Sequence, residues 1–257
     1  VGDHTIFCYD PIISPRLLFS SAFHHPVLLS VVLPCLNEVE TVGMCIDSIN
    51  HTLDLLAIHY EVIVADNGST DESAMIAAAQ GARVISVPER GYGRALLGGL
   101  RAATGDVLLM MDCDNSYSAT DIPVFLHALQ KDADFVLGCR FKNGGGTILP
   151  DAMPRLHQHI GNPLFSWMLR RFFRLPFHDV HCGMRAMRRS LLESLTLAQP
   201  DMTFAFELLL RSRDSGARLA EVPITLHPDG RHAHGSHLHT FRDGLRMVMF
   251  LLWYKHS

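Results

Sequence analysis

One arrangement in this chain speaks directly to chemistry. Leu108-Leu-Met-Met-Asp112-Cys113-Asp114 is an apolar run that ends in two carboxylates one residue apart. Two acids that close repel unless a cation lies between them, and carboxylate oxygens suit hard divalent ions such as Mg²⁺ or Mn²⁺. A polar turn after a strand has the same spelling, so the spacing alone leaves both readings open. Other polar residues also follow apolar runs: Pro34, Asn37 and Glu38 after Leu28–Leu33, Asp66 after Glu61–Ala65, and Arg140 after Phe135-Val-Leu. Beyond Arg140, Gly144-Gly-Gly146 reads as a mobile loop. Asp179-Val-His-Cys-Gly183-Met-Arg185-Ala is a polar knot in which Gly183 permits a turn and Arg185 is a candidate anion ligand. Glu207 stands among Phe204, Phe206 and Leu208, where a carboxylate is usually paired or functional.

These side chains need elements to hold them. Apolar, β-branched runs at 28–33, 61–65, 83–87, 107–111 and 135–137 read as buried strands. Helical spacing or a helix-opening turn follows the first four, at 39–57, up to about Gln80, at 91–103 and at 121–130. Repeated strand–helix alternation predicts an α/β protein with a doubly wound, mostly parallel sheet. Ligands of such sheets lie outside the carboxyl ends of the strands, where Asn37, Glu38, Asp66, Asp112 and Asp114 all fall. Strand alternation turns Cys113 back toward the core. Leu219–Leu226, interrupted by Pro223, reads as an edge strand. Gly91-Tyr-Gly93-Arg94 lacks the full dinucleotide fingerprint, so a tight helix-opening turn and a ligand role both stay open for Gly93 and Arg94.

Composition narrows the classes further. The chain has 257 residues, and its 6 cysteines include no Cys-x-x-Cys pair, which argues against a zinc ribbon or disulfide framework and for a reducing compartment. Residues 1–139 carry 6 Lys/Arg against 17 Asp/Glu, whereas 140–190 carry 9 against 2. An acidic half followed by a basic middle suits a metal or sugar site beside an anion or membrane-surface site, and no nucleic-acid partner is expected. No apolar run reaches the roughly 18 residues needed to span a bilayer, and no secretory signal pattern opens the sequence. Leu164-Phe-Ser-Trp-Met-Leu-Arg-Arg-Phe-Phe-Arg174 reads either as a helix lying at a membrane interface or as a partly buried surface helix. The apolar end of the last segment, Met247–Tyr254, could dock on a membrane or begin a longer hydrophobic tail. His227, His232, His234, His237 and His239 crowd a loop that suits phosphate contact better than a zinc site.

Val31-Val-Leu-Pro-Cys-Leu-Asn-Glu38, Asp66-Asn-Gly-Ser-Thr-Asp71, Asp112-Cys-Asp114 and Cys182-Gly-Met-Arg-Ala186, in that order, resemble the family-2 glycosyltransferases. The likeness is greatest to the dolichol- and polyprenyl-phosphate mannosyl- and glucosyltransferases and runs from about Leu28 to Tyr254. It implies a GT-A fold over 28–230, with 1–27 as an N-terminal arm and 231–257 as a C-terminal loop and helix. It also implies an enzyme that takes a sugar from a GDP-mannose- or UDP-glucose-type donor. Pro34, Asn37, Glu38 and Asp66 would contact the nucleotide, with Gly93, Arg94 and Cys113 as further candidates. Asp112 and Asp114 would flank Mg²⁺ or Mn²⁺ and the diphosphate, and Arg140, Arg185, Arg231 and Ser236 would meet phosphate or acceptor. The expected acceptor is a lipid phosphate at the cytoplasmic face of a membrane, with inversion at the anomeric carbon. A soluble or protein-linked hydroxyl acceptor is the alternative enzyme reading; it would need a base, for which Glu207 is the candidate. A catalytically silent nucleotide-sugar-binding protein is the third reading.

Overall fold

The computed structural model describes residues 28–231 and 240–256. Seven strands form one sheet in the order β3-β2-β1-β4-β7-β5-β8. They are β1 (Leu28–Cys35), β2 (His59–Asp66), β3 (Arg83–Ser86), β4 (Val107–Met110), β5 (Phe135–Cys139), β7 (Arg185–Arg188) and β8 (Leu219–Pro223). A short parallel pair, β6 (Thr147–Ile148) and β9 (Thr225–Leu226), stands apart. Val31, Val32 and Leu33 are all fully buried, which means both faces of β1 are covered and explains why its sequence is a continuous apolar run without alternation. α1 (Val42–Leu55) packs through Val42, Cys45, Ile46, Ile49 and Leu53, the spacing of one helical stripe. α2 (Ser73–Ala79), α3 (Tyr92–Ala102) and α4 (Ile122–Gln130) complete the expected alternation. The Gly98-Gly99 pair of α3 is explained by packing: a Cβ on Gly98 would sit 2.7 Å from Val87 Cγ2, and one on Gly99 3.1 Å from Ala65 Cβ.

The sheet is mostly parallel, with one exception that matters for the site. β7 runs antiparallel between β4 and β5, with Arg185 opposite Met110. A parallel strand brings the residues after it to the carboxyl edge, whereas an antiparallel strand brings the residues before it. The polar knot Asp179–Met184 therefore arrives beside Asp112. Among the described residues β8 pairs with β5 alone and is an edge strand, as Pro223 predicts.

α5 (Asn162–Phe173) continues a π-helical turn at His157–Gly161, and α6 (Arg189–Ser194) and α7 (Phe204–Asp214) follow. α8 (Thr240–His256) lies against this end of the domain, burying Met247, Phe250, Leu251 and Tyr254. The Tyr254 hydroxyl donates to Asp214 Oδ2 at 2.5 Å and the Arg211 guanidinium stacks 5.2 Å from the Tyr254 ring, so α8 is tied to α7. Among the described residues no helix is long and apolar enough to cross a membrane.

Candidate active site

Two turns at the carboxyl edge are stitched together. Asn37 adopts φ 58°, a left-handed conformation that asparagine tolerates, and its Oδ1 accepts the Thr70 amide at 2.8 Å. The Asn37 amide donates to Ser69 Oγ at 2.9 Å, and Asp66 Oδ1 accepts the Ser69 amide at 3.0 Å. The Glu38 amide donates to Ser73 Oγ at 2.8 Å. Pro34 faces Ala65 and Cys35 faces Asp66 across the β1–β2 ladder. Pro34, Asn37, Glu38 and Asp66 thus share one rim. Asn67, buried behind them, donates to the carbonyls of Val87 and Glu89 at 2.9 and 2.8 Å, accepts the Gly91 amide at 2.8 Å, and so ties the start of α3 to this rim.

Asp112 and Asp114 stand at the end of β4. Asp114 Oδ1 accepts both the amide and the hydroxyl of Ser116, at 3.0 and 2.5 Å. Its Oδ2 lies 3.3 Å from Arg231 Nη2. Arg231 also reaches Glu38 Oε1 at 3.1 Å and grips Asp229 through Nε at 2.9 Å. Asp112 Oδ1 accepts the Tyr92 hydroxyl at 2.9 Å. Burial and the neighbouring charge of Asp114 push the Asp112 carboxyl up to about 6. Burial pushes Glu38 up to about 7, against the pull of Arg231. Cys113, between the acids, points inward as expected, 2% exposed and against the Cys35 and Cys45 thiols.

This donor set fits a hard divalent cation. Asp114, Glu38 and Asp229 surround the Arg231 guanidinium, and Asp112 is raised partly because its neighbour Asp114 is also an acid. Among the described residues no three His, Cys, Asp or Glu side chains converge into a closed metal cage. A cation that keeps waters and substrate phosphate oxygens needs only one or two carboxylates from the protein. Gly183 provides the room: a Cβ there would overlap Asp112 Oδ2 and sit 2.8 Å from Asp112 Cγ. Its φ is not left-handed, so it is space beside Asp112, rather than turn geometry, that calls for glycine.

The other arginines do different work from that expected. Arg140 is buried and bidentate on Asp179, with Nε–Oδ2 at 2.6 Å and Nη2–Oδ1 at 2.8 Å. Its Nη1 reaches the Tyr117 hydroxyl at 3.4 Å, and that hydroxyl accepts the Gly183 amide at 2.8 Å. Arg185 donates to the carbonyls of Cys182, Ala205 and Val180 at 2.9, 2.7 and 3.0 Å. Instead of standing open to phosphate, both guanidiniums brace the Asp179–Arg185 knot against the sheet and α7. Glu221 extends the brace, accepting the amides of His178 and Asp179 at 2.8 and 3.1 Å.

Gly93 packs against the 199–204 segment, where a Cβ would lie 2.7 Å from Phe204 Cβ and 2.9 Å from the Asp201 carbonyl. The Arg94 side chain pairs with exposed Glu89 at 3.2 Å. Glu207 Oε2 accepts the amides of Ala198 and Gln199 at 2.9 and 2.8 Å. Ser236 and the histidines at 232, 234, 237 and 239 lie outside the described residues; the His227 amide donates to the Ser116 carbonyl at 2.9 Å. Sequence reasoning missed Tyr92, Tyr117 and Asp229. Tyr92 had one local signal, its position between two glycines of a helix-opening turn.

The mostly parallel sheet with helices on both faces is that of the GT-A fold. Residues 30–196 match the Glycosyl transferase family 2 domain, and the chain belongs to that family. It is 38% identical over 238 residues to the low-salt glycan biosynthesis hexosyltransferase Agl6 of Haloferax volcanii, covering 92% of this chain and 56% of Agl6. This chain therefore spans just over half the length of that relative. It is 35% identical over 196 residues to the dolichyl-phosphate hexose transferase of the same organism, covering 76% and 81% of the two chains. Among solved structures, glucosyl-3-phosphoglycerate synthase from Mycobacterium tuberculosis, in complex with Mn²⁺, UDP and glucosyl-3-phosphoglycerate, superposes with a TM-score of 0.73 at 26% identity. That match covers 97% of this chain and 86% of the synthase.

Proposed function

We propose that this protein is an inverting hexosyltransferase that moves a sugar from a nucleotide-sugar to a polyprenyl or dolichyl phosphate at the cytoplasmic face of a membrane. The observation that carries this reading is the Asp112–Asp114 pair at the carboxyl edge, with Arg231 closed on Asp114. Residues 28–230 would be the catalytic domain and 231–257 its C-terminal loop and helix. The stitched turns holding Asn37, Glu38 and Asp66 would receive the nucleoside. Asp112 and Asp114 would hold Mg²⁺ or Mn²⁺. When bound, that ion supplies Lewis-acid stabilisation of the departing diphosphate. Arg231 would exchange carboxylate for phosphate oxygens as donor enters, keeping charge-assisted bonds throughout. A lipid phosphate is already anionic near neutral pH and attacks without a strong base, in keeping with Glu207 holding two backbone amides.

The membrane part rests on the surface. α5 and α8 expose Leu164, Trp167, Phe172, Leu245, Met249, Leu252 and Trp253. Arg170, Arg171, Arg174 and Lys255 lie among or beside them. Apolar anchors ringed by cations suit an interface with anionic lipid.

The test is purified protein with Mn²⁺, a panel of labelled nucleotide-sugars and polyprenyl phosphate. A lipid-linked sugar from one donor is the expected product, and none from any donor would refute the reading. The structural likeness to a synthase solved with phosphoglyceric acid favours, as a second reading, a soluble acceptor, so the same donors are offered small hydroxyl acceptors in parallel.

A further inference from the structure

Asp112 is held by groups that motif reasoning does not assign. Its Oδ1 accepts the Tyr92 hydroxyl, and its Oδ2 lies in the space left by Gly183. Tyr92 is the first residue of α3, and the place of that helix turn is itself built. Gly91 has φ 141°, open only to glycine, and a Cβ on it would overlap the Pro200 carbonyl. The Arg94 amide donates to the same Pro200 carbonyl at 3.2 Å. Gly93 lies flush against Gln199, Asp201 and Phe204. The segment that receives this turn is held from below by Glu207, through the amides of Ala198 and Gln199. Glu207 is 3% exposed and sits in the first turn of α7.

A continuous path of contacts thus joins Glu207 to Asp112. It runs from the Glu207 carboxylate to the 198–201 backbone, then to the Gly91–Gly93 turn, the Tyr92 hydroxyl and Asp112. We infer that Tyr92 is a positioning residue that sets the rotamer of the metal-binding carboxylate Asp112, and that Glu207 sets Tyr92 in place by holding the 198–201 segment. This inference rests on the metal assignment proposed above. It gives Glu207 a role that needs an acceptor atom but no proton transfer. A glutamine there keeps a carbonyl oxygen for both amides; an alanine does not.

The experiment is a Mn²⁺ titration followed by electron paramagnetic resonance, with UDP or GDP present and no acceptor, beside steady-state turnover. Tyr92→Phe keeps the ring and removes only the hydroxyl. Loss of an outer hydrogen bond to a metal-ligating carboxylate is expected to weaken Mn²⁺ about tenfold, with circular dichroism unchanged. Glu207→Ala is expected to weaken Mn²⁺ to a similar degree, and Glu207→Gln to restore both Mn²⁺ affinity and turnover to within about twofold of the parent. If Tyr92→Phe binds Mn²⁺ as the parent does, the inference fails while the metal assignment stands. If Glu207→Gln binds Mn²⁺ normally but does not turn over, Glu207 transfers a proton, and the positioning role is overturned along with the phosphate-acceptor reading. If the parent binds no Mn²⁺ with either nucleotide, the metal assignment falls and takes this inference with it.

Discussion

Removing the Asp179 carboxylate should damage the fold before it damages substrate binding. Asp179 is fully buried, and Arg140 is 7% exposed. The carboxylate accepts Arg140 Nε at 2.6 Å, Nη2 at 2.8 Å and the Arg140 amide at 3.0 Å. Asp179→Ala leaves a buried guanidinium whose remaining side-chain hydrogen-bond partner among the described residues is the Tyr117 hydroxyl, at 3.4 Å. Breaking a buried pair from one side costs about 3–5 kcal/mol, most of it the uncompensated charge. In a domain of this size that lowers Tm by roughly 10 °C. Arg140→Met should cost less, because a stranded carboxylate can take up a proton while a guanidinium cannot release one. The double variant should be no less stable than Asp179→Ala alone. Urea unfolding of the three variants, read by far-ultraviolet circular dichroism, measures these costs, and donor KM is measured alongside. Two results would refute the reasoning. One is an Asp179→Ala urea midpoint equal to that of the parent. The other is Arg140→Met with full stability and a donor KM raised about tenfold, which would return Arg140 to the role of a phosphate ligand.

Further outcomes follow from the same geometry. Gly183→Ala places a methyl against the Asp112 carboxylate, and a displacement of that kind should lower turnover about 100-fold while the circular dichroism spectrum is retained. Arg231→Gln removes the cation shared by Glu38, Asp114 and Asp229; initial-rate kinetics should show donor KM raised roughly 10–100-fold, with a smaller change in urea midpoint. His181 packs between Phe165 and Phe206, and burial holds its imidazole down to about 3. Its folded form stays neutral while the unfolded chain takes a proton below about 6.5. Stability is therefore lost as pH falls through that value, by about 1.4 kcal/mol per pH unit from this residue. Denaturant unfolding of His181→Phe between pH 5 and 7 should show that slope reduced by the same amount, and an unchanged slope would contradict a ring that stays neutral in the fold.

What the chain reveals on its own is the parallel part of the sheet and the acidic half of its edge. Strands covered on both faces must be continuous apolar runs, so β1, β2 and β4 are legible. Their polar ends must then lie together, which brings Asn37, Glu38, Asp66, Asp112 and Asp114 to one rim. Local pattern also places Cys113 inward, because adjacent strand residues face opposite ways. Tertiary structure decided the rest. Whether β7 runs parallel or antiparallel depends on its neighbours, and its antiparallel course brings Gly183 to Asp112. Arg140 and Arg231 look alike in sequence, yet one is bound to Asp179 inside the protein while the other closes on Glu38 and Asp114 at the rim. Glu207 likewise could not be read as a brace until the Ala198 and Gln199 amides were seen to meet it. A charged side chain is defined by the partner it reaches, and these partners are set by long-range packing that no local spacing encodes.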